Sequence, residues 1–283
     1  MPELPEVETV RRALEPVLAG RTLAAVAIHD VRLVQPRDRH EVAAELTGEL
    51  ITQVDRRGKY LLLRLASRRV LVVHLRMTGG FVTGSAAAAG AGGMSAVPHL
   101  RALLTLDDGG HVAFRDVRRF GTWTLLEPGQ LRPYLAERLG PEPLGTFSAA
   151  AFAARLAGRH APVKAVLLDQ RAIAGVGNIY ADEALWRARI HPLLPAADLA
   201  PAQLRSLHRA VRTALRLGIA RQGATLRDYR APDGSEGEMQ DEFKVYGRAD
   251  EPCLRCGRPI SKIRVAGRGT HFCPRCQKTP RVV

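Results

Sequence analysis

The sequence predicts an α+β chain of several domains: a leading helix, an all-β region, a helical region and a small cysteine-bearing module. Three observations carry that prediction. Apolar residues near the start recur at helical spacing. Short β-prone runs separated by glycine-bearing turns occupy Leu23 to Leu126. All four cysteines fall between Cys253 and Cys276.

Val7, Val10, Leu14 and Val17 or Leu18 line one face of a helix from Pro5 to Leu18. Pro5 suits a first helical turn and Gly20 a stop. Glu3, Glu6 and Glu8 lie at or before the positive end of that helix. The runs LLLRL, VLVVHL, ALLTL, VAFRD and TWTLL then read as strands of a sandwich or barrel, with a turn at Asp107-Asp108-Gly109-Gly110. Between Gly84 and Ala96 an Ala/Gly/Ser-rich stretch without period reads as a mobile surface loop. Glu127-Pro128-Gly129 marks a boundary. From Pro133 to about Gln222 the pattern is helical, punctuated at Gly140-Pro141, Gly158, Gly175-Val176-Gly177 and His191-Pro192. Gly223 to Gln240 is polar and glycine-bearing, a long functional loop. The expected domains are 1–130, 133–225, a loop and linker at 226–243, and 244–278.

A length of 283 residues suits two domains, or one with an appendage, and is enough to bury a core without staples. With 46% hydrophobic and 25% charged residues the chain reads as an ordinary globular protein. No apolar run reaches the roughly 18 residues of a membrane span. MPELPEVET is acidic and polar, unlike a signal peptide, so a cytoplasmic location and no membrane partner are expected. Lys and Arg number 42 against 28 acids, a net charge of +14. Arginine forks match phosphate oxygens, which points to nucleic acid. A codon bias would explain Arg over Lys but not the surplus over acids.

Cys253, Cys256, Cys273 and Cys276 form C-x2-C-x16-C-x2-C. Two tight pairs can bring four thiolates to one tetrahedral zinc, a closed structural site; two disulfides are the other possibility, for a secreted chain. Lys262, Arg264 and Arg268 lie between the pairs, so the hairpin is either a DNA finger or a scaffold. At the other end, removal of Met1 would leave Pro2 as a secondary amine. An α-amino group titrates near 7.7–8.0, so part of it is a neutral nucleophile at physiological pH. Such an amine can attack a sugar C1′ to form a Schiff base, with Glu3 as acid or base. Taken alone, Met-Pro-Glu could equally be a frayed start.

The start MPELPEVETVRR, then RRGKYLLL, HLRMTG, RRFG, LGPEPL, GVGNIYADEALW, KVYGR and the terminal cysteines occur in an order that resembles the formamidopyrimidine-DNA glycosylase family, bacterial enzymes that excise oxidised purines such as 8-oxoguanine. The resemblance covers residue 2 to about 278. It implies an N-terminal β-sandwich flanked by the first helix, a helix–two-turn–helix domain and a four-cysteine zinc finger. It implies a monomer acting on double-stranded DNA that carries oxidised purines or abasic sites, by glycosylase and β,δ-elimination lyase steps. It assigns Pro2 as nucleophile, Glu3 as the acid on the sugar ring oxygen, Lys59 as proton donor for β-elimination, and Arg268 as the finger arginine that clamps phosphate and is linked to δ-elimination. Asn178 would hold a phosphate. Met77, Arg118 and Phe120 would enter the duplex when the damaged base leaves the stack. His99 and Lys164 match DNA-contacting residues, and His160 takes the slot of a basic one. Read from their residues alone, Lys59 could be a solvated strand-end lysine, and Met77 and Phe120 core residues at strand ends. The chain departs from the family in the longer Ala/Gly-rich loop, at His160, and at Met239 before Gln240, where the family usually has an aromatic. An endonuclease VIII-like enzyme for oxidised pyrimidines shares Pro2 and Glu3 but typically begins P-E-G-P and lacks the Arg-Arg-Phe-Gly loop; Leu4 and Phe120 argue against it. A damage binder without catalysis has no need of Pro2, Glu3 and Lys59.

Overall fold

The computed structural model describes residues 1–84 and 96–278. The Ala/Gly-rich loop expected between Gly84 and Ala96 therefore lies outside the described residues. The chain divides into two compact units: Met1–Leu135 with Arg221–Glu238, and Ala136–Ala220 with Met239–Val283.

In the first unit, Leu4–Leu18 forms α1, whose buried face carries Leu4, Val7, Val10, Leu14 and Leu18. Glu3 and Glu6 close its N-terminus as a capping box, with the Glu3 N–H donating to Glu6 Oε2 at 2.8 Å. There follow β1 (Arg21–Ile28), α2 (Arg39–Leu46), β2 (Leu50–Arg57), β3 (Tyr60–Leu65), β4 (Val70–His74), β5 (Gly79–Gly84), β6 (Leu100–Leu106), β7 (His111–Asp116), β8 (Thr122–Leu126) and α3 (Leu131–Ala136). The strands are antiparallel and run in the order β5-β7-β6-β1-β2-β3-β4-β8. Arg21 and Thr22 of β1 pair with β2, whereas Leu23 to Ile28 pair with β6, so β1 hands the chain from one layer to the other. The end strands β5 and β8 do not pair, but Phe81 of β5 stacks on Trp123 of β8 with ring centroids 6.3 Å apart. The region is thus a β-sandwich and not a closed barrel. One core of Val10, Leu14, Leu63, Val73, Leu104 and Phe114, among others, joins α1 to both layers.

The second unit contains α4 (Ala149–Leu156), α5 (Val163–Leu168), α6 (Asn178–Ala188), α7 (Pro201–Ala220) and the hairpin β9 (Ser261–Val265) with β10 (Arg268–Phe272). Helices α6 and α7 approach closely because residue 218 is glycine: a Cβ there would lie 2.4 Å from Tyr180 Cε1. The hairpin has a small core of its own, Val245, Cys253, Ile260 and Cys273 against Trp186. Among the described residues, no helix is long and apolar enough to cross a membrane.

Candidate active site and nucleic-acid interface

Pro2 and Glu3 are both buried at the head of α1. Lys59 is also buried. It is the second residue of a two-residue hairpin loop, since Arg57 pairs with Tyr60. Gly58 precedes it at φ +58, a backbone that glycine adopts without a Cβ clash. Arg56 ties the two pieces together: its Nε donates to Glu8 Oε2 on α1 and its Nη1 to the Gly58 carbonyl, both at 3.0 Å. The side chain of His74 is buried beside this loop. Its ring packs edge-on against Tyr60 at 4.6 Å, and its Nδ1 accepts the Arg76 N–H at 2.9 Å. Burial, then the charges of Arg76 and Lys59, push its pKa down to about 3, so the ring is neutral.

Met77, His99, Arg118 and Phe120 are gathered by a residue that sequence reading passed over, Asp116. This buried carboxylate accepts the Thr78 hydroxyl and the Arg118 N–H on Oδ1, and the Gly121 N–H on Oδ2 at 2.7 Å. Its own N–H donates to the His99 carbonyl at 3.0 Å. The β4–β5 turn with Met77, the segment Arg118 to Gly121 and the start of β6 are thereby drawn together. Phe120 is 50% exposed and Met77 half-buried, so neither is a core residue. The Arg118 guanidinium lies 4.9 Å from the centre of the Phe120 ring and forms no ion pair among the described residues. Arg119 instead grips buried Asp30 through Nε at 2.6 Å and Nη2 at 2.8 Å. Its hydrogen bond lowers the Asp30 pKa.

The segment Arg221–Glu238 belongs to the same unit as α1, and Glu6 anchors it. Glu6 Oε1 accepts the Ala224 N–H at 2.9 Å. Gly223 is required there twice over: φ is +81, and a Cβ would lie 2.7 Å from Glu6 Cγ. Burial and the nearby Glu6 charge raise the pKa of Tyr229. The Pro232 carbonyl accepts the Thr83 N–H at 3.0 Å. Between the segment and β5 lies a cavity of about 220 Å³ lined by Thr78, Gly79, Asp228, Tyr229 and Ala231 among others. Met239, which follows, is fully buried in the second unit.

In the second unit Asn178 opens α6 after Gly175-Val176-Gly177, a loop held by Gln170: its Oε1 accepts the Gly175 N–H at 2.9 Å and its Nε2 donates to the Val176 carbonyl at 2.8 Å. Asn178 Nδ2 donates to the Gly269 carbonyl at 3.0 Å. Lys164 reaches the same place from inside. Its ammonium, with no exposed surface, pairs with Asp182 at 2.7 Å and donates to Thr270 Oγ1 at 2.7 Å and the Gly269 carbonyl at 3.1 Å. The resemblance puts Lys164 near the DNA; here it is enclosed and set against β10. Arg268 heads β10 beyond a two-residue turn, Ala266 at φ +48 and Gly267 at φ +74. Its side chain is exposed and forms no ion pair among the described residues. His160 is exposed on the segment before α5. Glu183, fully buried, was also missed from sequence. Its Oε1 accepts the N–H groups of Lys244, Val245 and Tyr246 at 2.9, 2.9 and 3.1 Å.

The four cysteine sulfurs lie within 4.8 Å of one another, and none is in a disulfide. Four thiolates about 2.3 Å from a tetrahedral zinc would be about 3.8 Å apart, so the set fits one structural ion. Trp186 Nε1 points its N–H at Cys253 Sγ at 3.4 Å, a donor suited to a thiolate.

Family comparison covers nearly the whole chain. Residues 1–123 match the formamidopyrimidine-DNA glycosylase N-terminal domain, 139–230 its H2TH domain, and 250–279 a zinc finger found in FPG and IleRS. The chain belongs to the formamidopyrimidine-DNA glycosylase family. The formamidopyrimidine-DNA glycosylase of Symbiobacterium thermophilum is 49% identical over 100% of this chain and 91% of its own length. A variant of the Lactococcus lactis glycosylase, bound to Fapy-dG-containing DNA, superposes with a TM-score of 0.90 at 39% identity, over 98% of this chain and 100% of that one. The Lactococcus enzyme bound to DNA with an abasic site gives a TM-score of 0.89 at the same identity and coverage. In this family member the zinc finger match and the clustered sulfurs together identify the structural zinc site.

Proposed function

We propose that the chain is a bifunctional DNA glycosylase and AP lyase that removes oxidised purines from double-stranded DNA. The observation that carries this is the head of the first unit. Pro2 and Glu3 sit on a capped helix that Arg56 couples to the loop bearing Lys59. While Met1 is attached, the Pro2 nitrogen is an amide without a free lone pair. After its removal the nitrogen is a secondary amine. That amine attacks C1′, the C1′–base bond breaks with the amine's proton passing to the departing base, and the sugar ring opens as Glu3 protonates its ring oxygen, leaving an iminium on Pro2. A C2′ proton then passes to a base, for which the Glu3 carboxylate left by ring opening is available, the C3′–O bond breaks, and the 3′ phosphate departs with a proton from Lys59. Arg268 holds the phosphate that leaves in δ-elimination.

The other residues serve access to C1′, which requires the nucleotide out of the stack. Exposed Phe120 and half-buried Met77 would fill the vacated space, and Arg118, which forms no ion pair among the described residues, would face the orphaned base. His99, His160 and Asn178 would contact the phosphate backbone. Asn178 suits this role as the first residue of a helix, where backbone N–H groups favour anions. Lys164 would act indirectly, by holding the strand that bears Arg268. The cavity beneath Tyr229 and Ala231 is a candidate seat for the extruded base.

Borohydride reduces an iminium to a stable amine. Untagged protein with Met1 removed should be trapped covalently on a duplex containing 8-oxoguanine, and protein that keeps Met1 should not. Absence of the adduct with correctly processed protein would sink the Pro2 mechanism. A panel of duplexes with oxidised purines and oxidised pyrimidines tests the lesion class; preferential release of pyrimidines overturns that part alone.

A further inference from the structure

The knuckle end of the cysteine hairpin carries a feature that the proposed DNA chemistry does not use. A concavity of about 740 Å³ within the second unit is lined by Arg189, Arg255, Arg275 and Lys278 around the zinc-site residues Cys256 and Cys276, with Ile190 and Leu194 supplying apolar wall; among the described residues no carboxylate is in the lining. None of the four cations forms an ion pair with another described residue. One guanidinium is held in place from within: Arg255 stacks 4.0 Å over the Trp186 ring and donates to the Trp186 carbonyl at 3.1 Å; the backbone of Arg189 caps α6 in the left-handed region at φ +58. A zinc ion in four thiolates carries a net charge of about −2, so the four cations exceed what would balance it. Leu193 and Leu254, sequence neighbours of lining residues, are 42% and 62% exposed. Within this unit the site also lies away from Asn178 and Arg268. Arg189 is at the opposite end of α6 from Asn178, roughly 16 Å along the helix, and the cysteines are at the opposite end of the hairpin from the Arg268 turn.

We propose that this concavity docks an acidic peptide segment of a protein partner, one with two or more carboxylates and an adjacent apolar side chain. Arginine forks favour carboxylates, and that of Arg255 is preplaced. Apolar wall and flanking exposed leucines favour a peptide over a phosphate rod, which has no apolar group to bury at its surface. The test is fluorescence anisotropy of zinc-loaded, full-length protein with a labelled Asp-Glu-Asp-Phe-Leu peptide, beside the same peptide with amides in place of its acids. The acidic peptide should bind, and the amide version at least about tenfold more weakly. The double variant Arg189→Asn with Arg275→Ser should weaken binding by a similar factor while zinc content and borohydride trapping on damaged DNA stay unchanged; asparagine tolerates the left-handed backbone. No binding of the acidic peptide, equal binding of the two peptides, or undiminished binding by a zinc-replete double variant would each overturn the proposal. Displacement of the peptide by undamaged duplex would overturn it too, by assigning the surface to nucleic acid.

Discussion

Arg118 and Arg119 share a chemistry and adjoin in sequence, yet Arg119 grips buried Asp30 while Arg118 lies over an exposed ring. Composition cannot separate them; only the left-handed backbone at Arg119 and the position of Asp30 do. His74 makes a similar point about charge. An unperturbed histidine titrates near 6.5, whereas burial and two cations hold this ring neutral down to about 3. As pH falls below about 6.5 the unfolded chain takes up the proton first, so stability drops until the folded pKa is reached. One such group contributes a slope of about 1.4 kcal/mol per pH unit. His74→Gln should therefore flatten the fall in thermal midpoint between about pH 6 and pH 4. Parallel profiles for the two proteins would show that His74 does not carry this dependence.

At the scale of elements, buried acids do the positioning, two of them across more than 60 residues, as Glu6 to Ala224 and Glu183 to Val245. Asp116 gathers three segments at the end of the sandwich, Glu6 holds Arg221–Glu238, and Glu183 holds residues 244–246. The hairpin strand β10 is set by Lys164, Asn178 and Asp182, whose Oδ2 accepts the His271 N–H at 2.9 Å. Because Lys164 and Asp182 are fully buried, Lys164→Ala leaves an uncompensated carboxylate inside the unit. Breaking such a pair costs about 3–5 kcal/mol, against roughly 0.5 kcal/mol for an ordinary surface change. Denaturant unfolding of the zinc-loaded variant measures the difference, and a loss in the surface range would return Lys164 to a phosphate-contact role.

For the whole molecule, the charge of +14 forecasts DNA affinity that weakens as salt rises. If exposed Arg268 contacts one phosphate, Arg268→Ala should lower the slope of log affinity against log salt by about 1; an unchanged slope would remove it from the interface. The sequence by itself determined much of the frame. The stripe Val7, Val10, Leu14 and Leu18 marked α1, short β-prone runs between glycine-bearing turns marked the strands, and the cysteine spacing marked the zinc site, because each is a local pattern of period, composition or spacing. Motif order gave the family. Tertiary structure alone decided that Lys164 lies inside and that Arg221–Glu238 belongs with α1. Those outcomes depend on which buried charges meet across more than a hundred residues, as Glu6 meets Ala224 and Lys164 meets Thr270. A buried charge needs a partner at short range, and local periodicity carries no record of who that partner is.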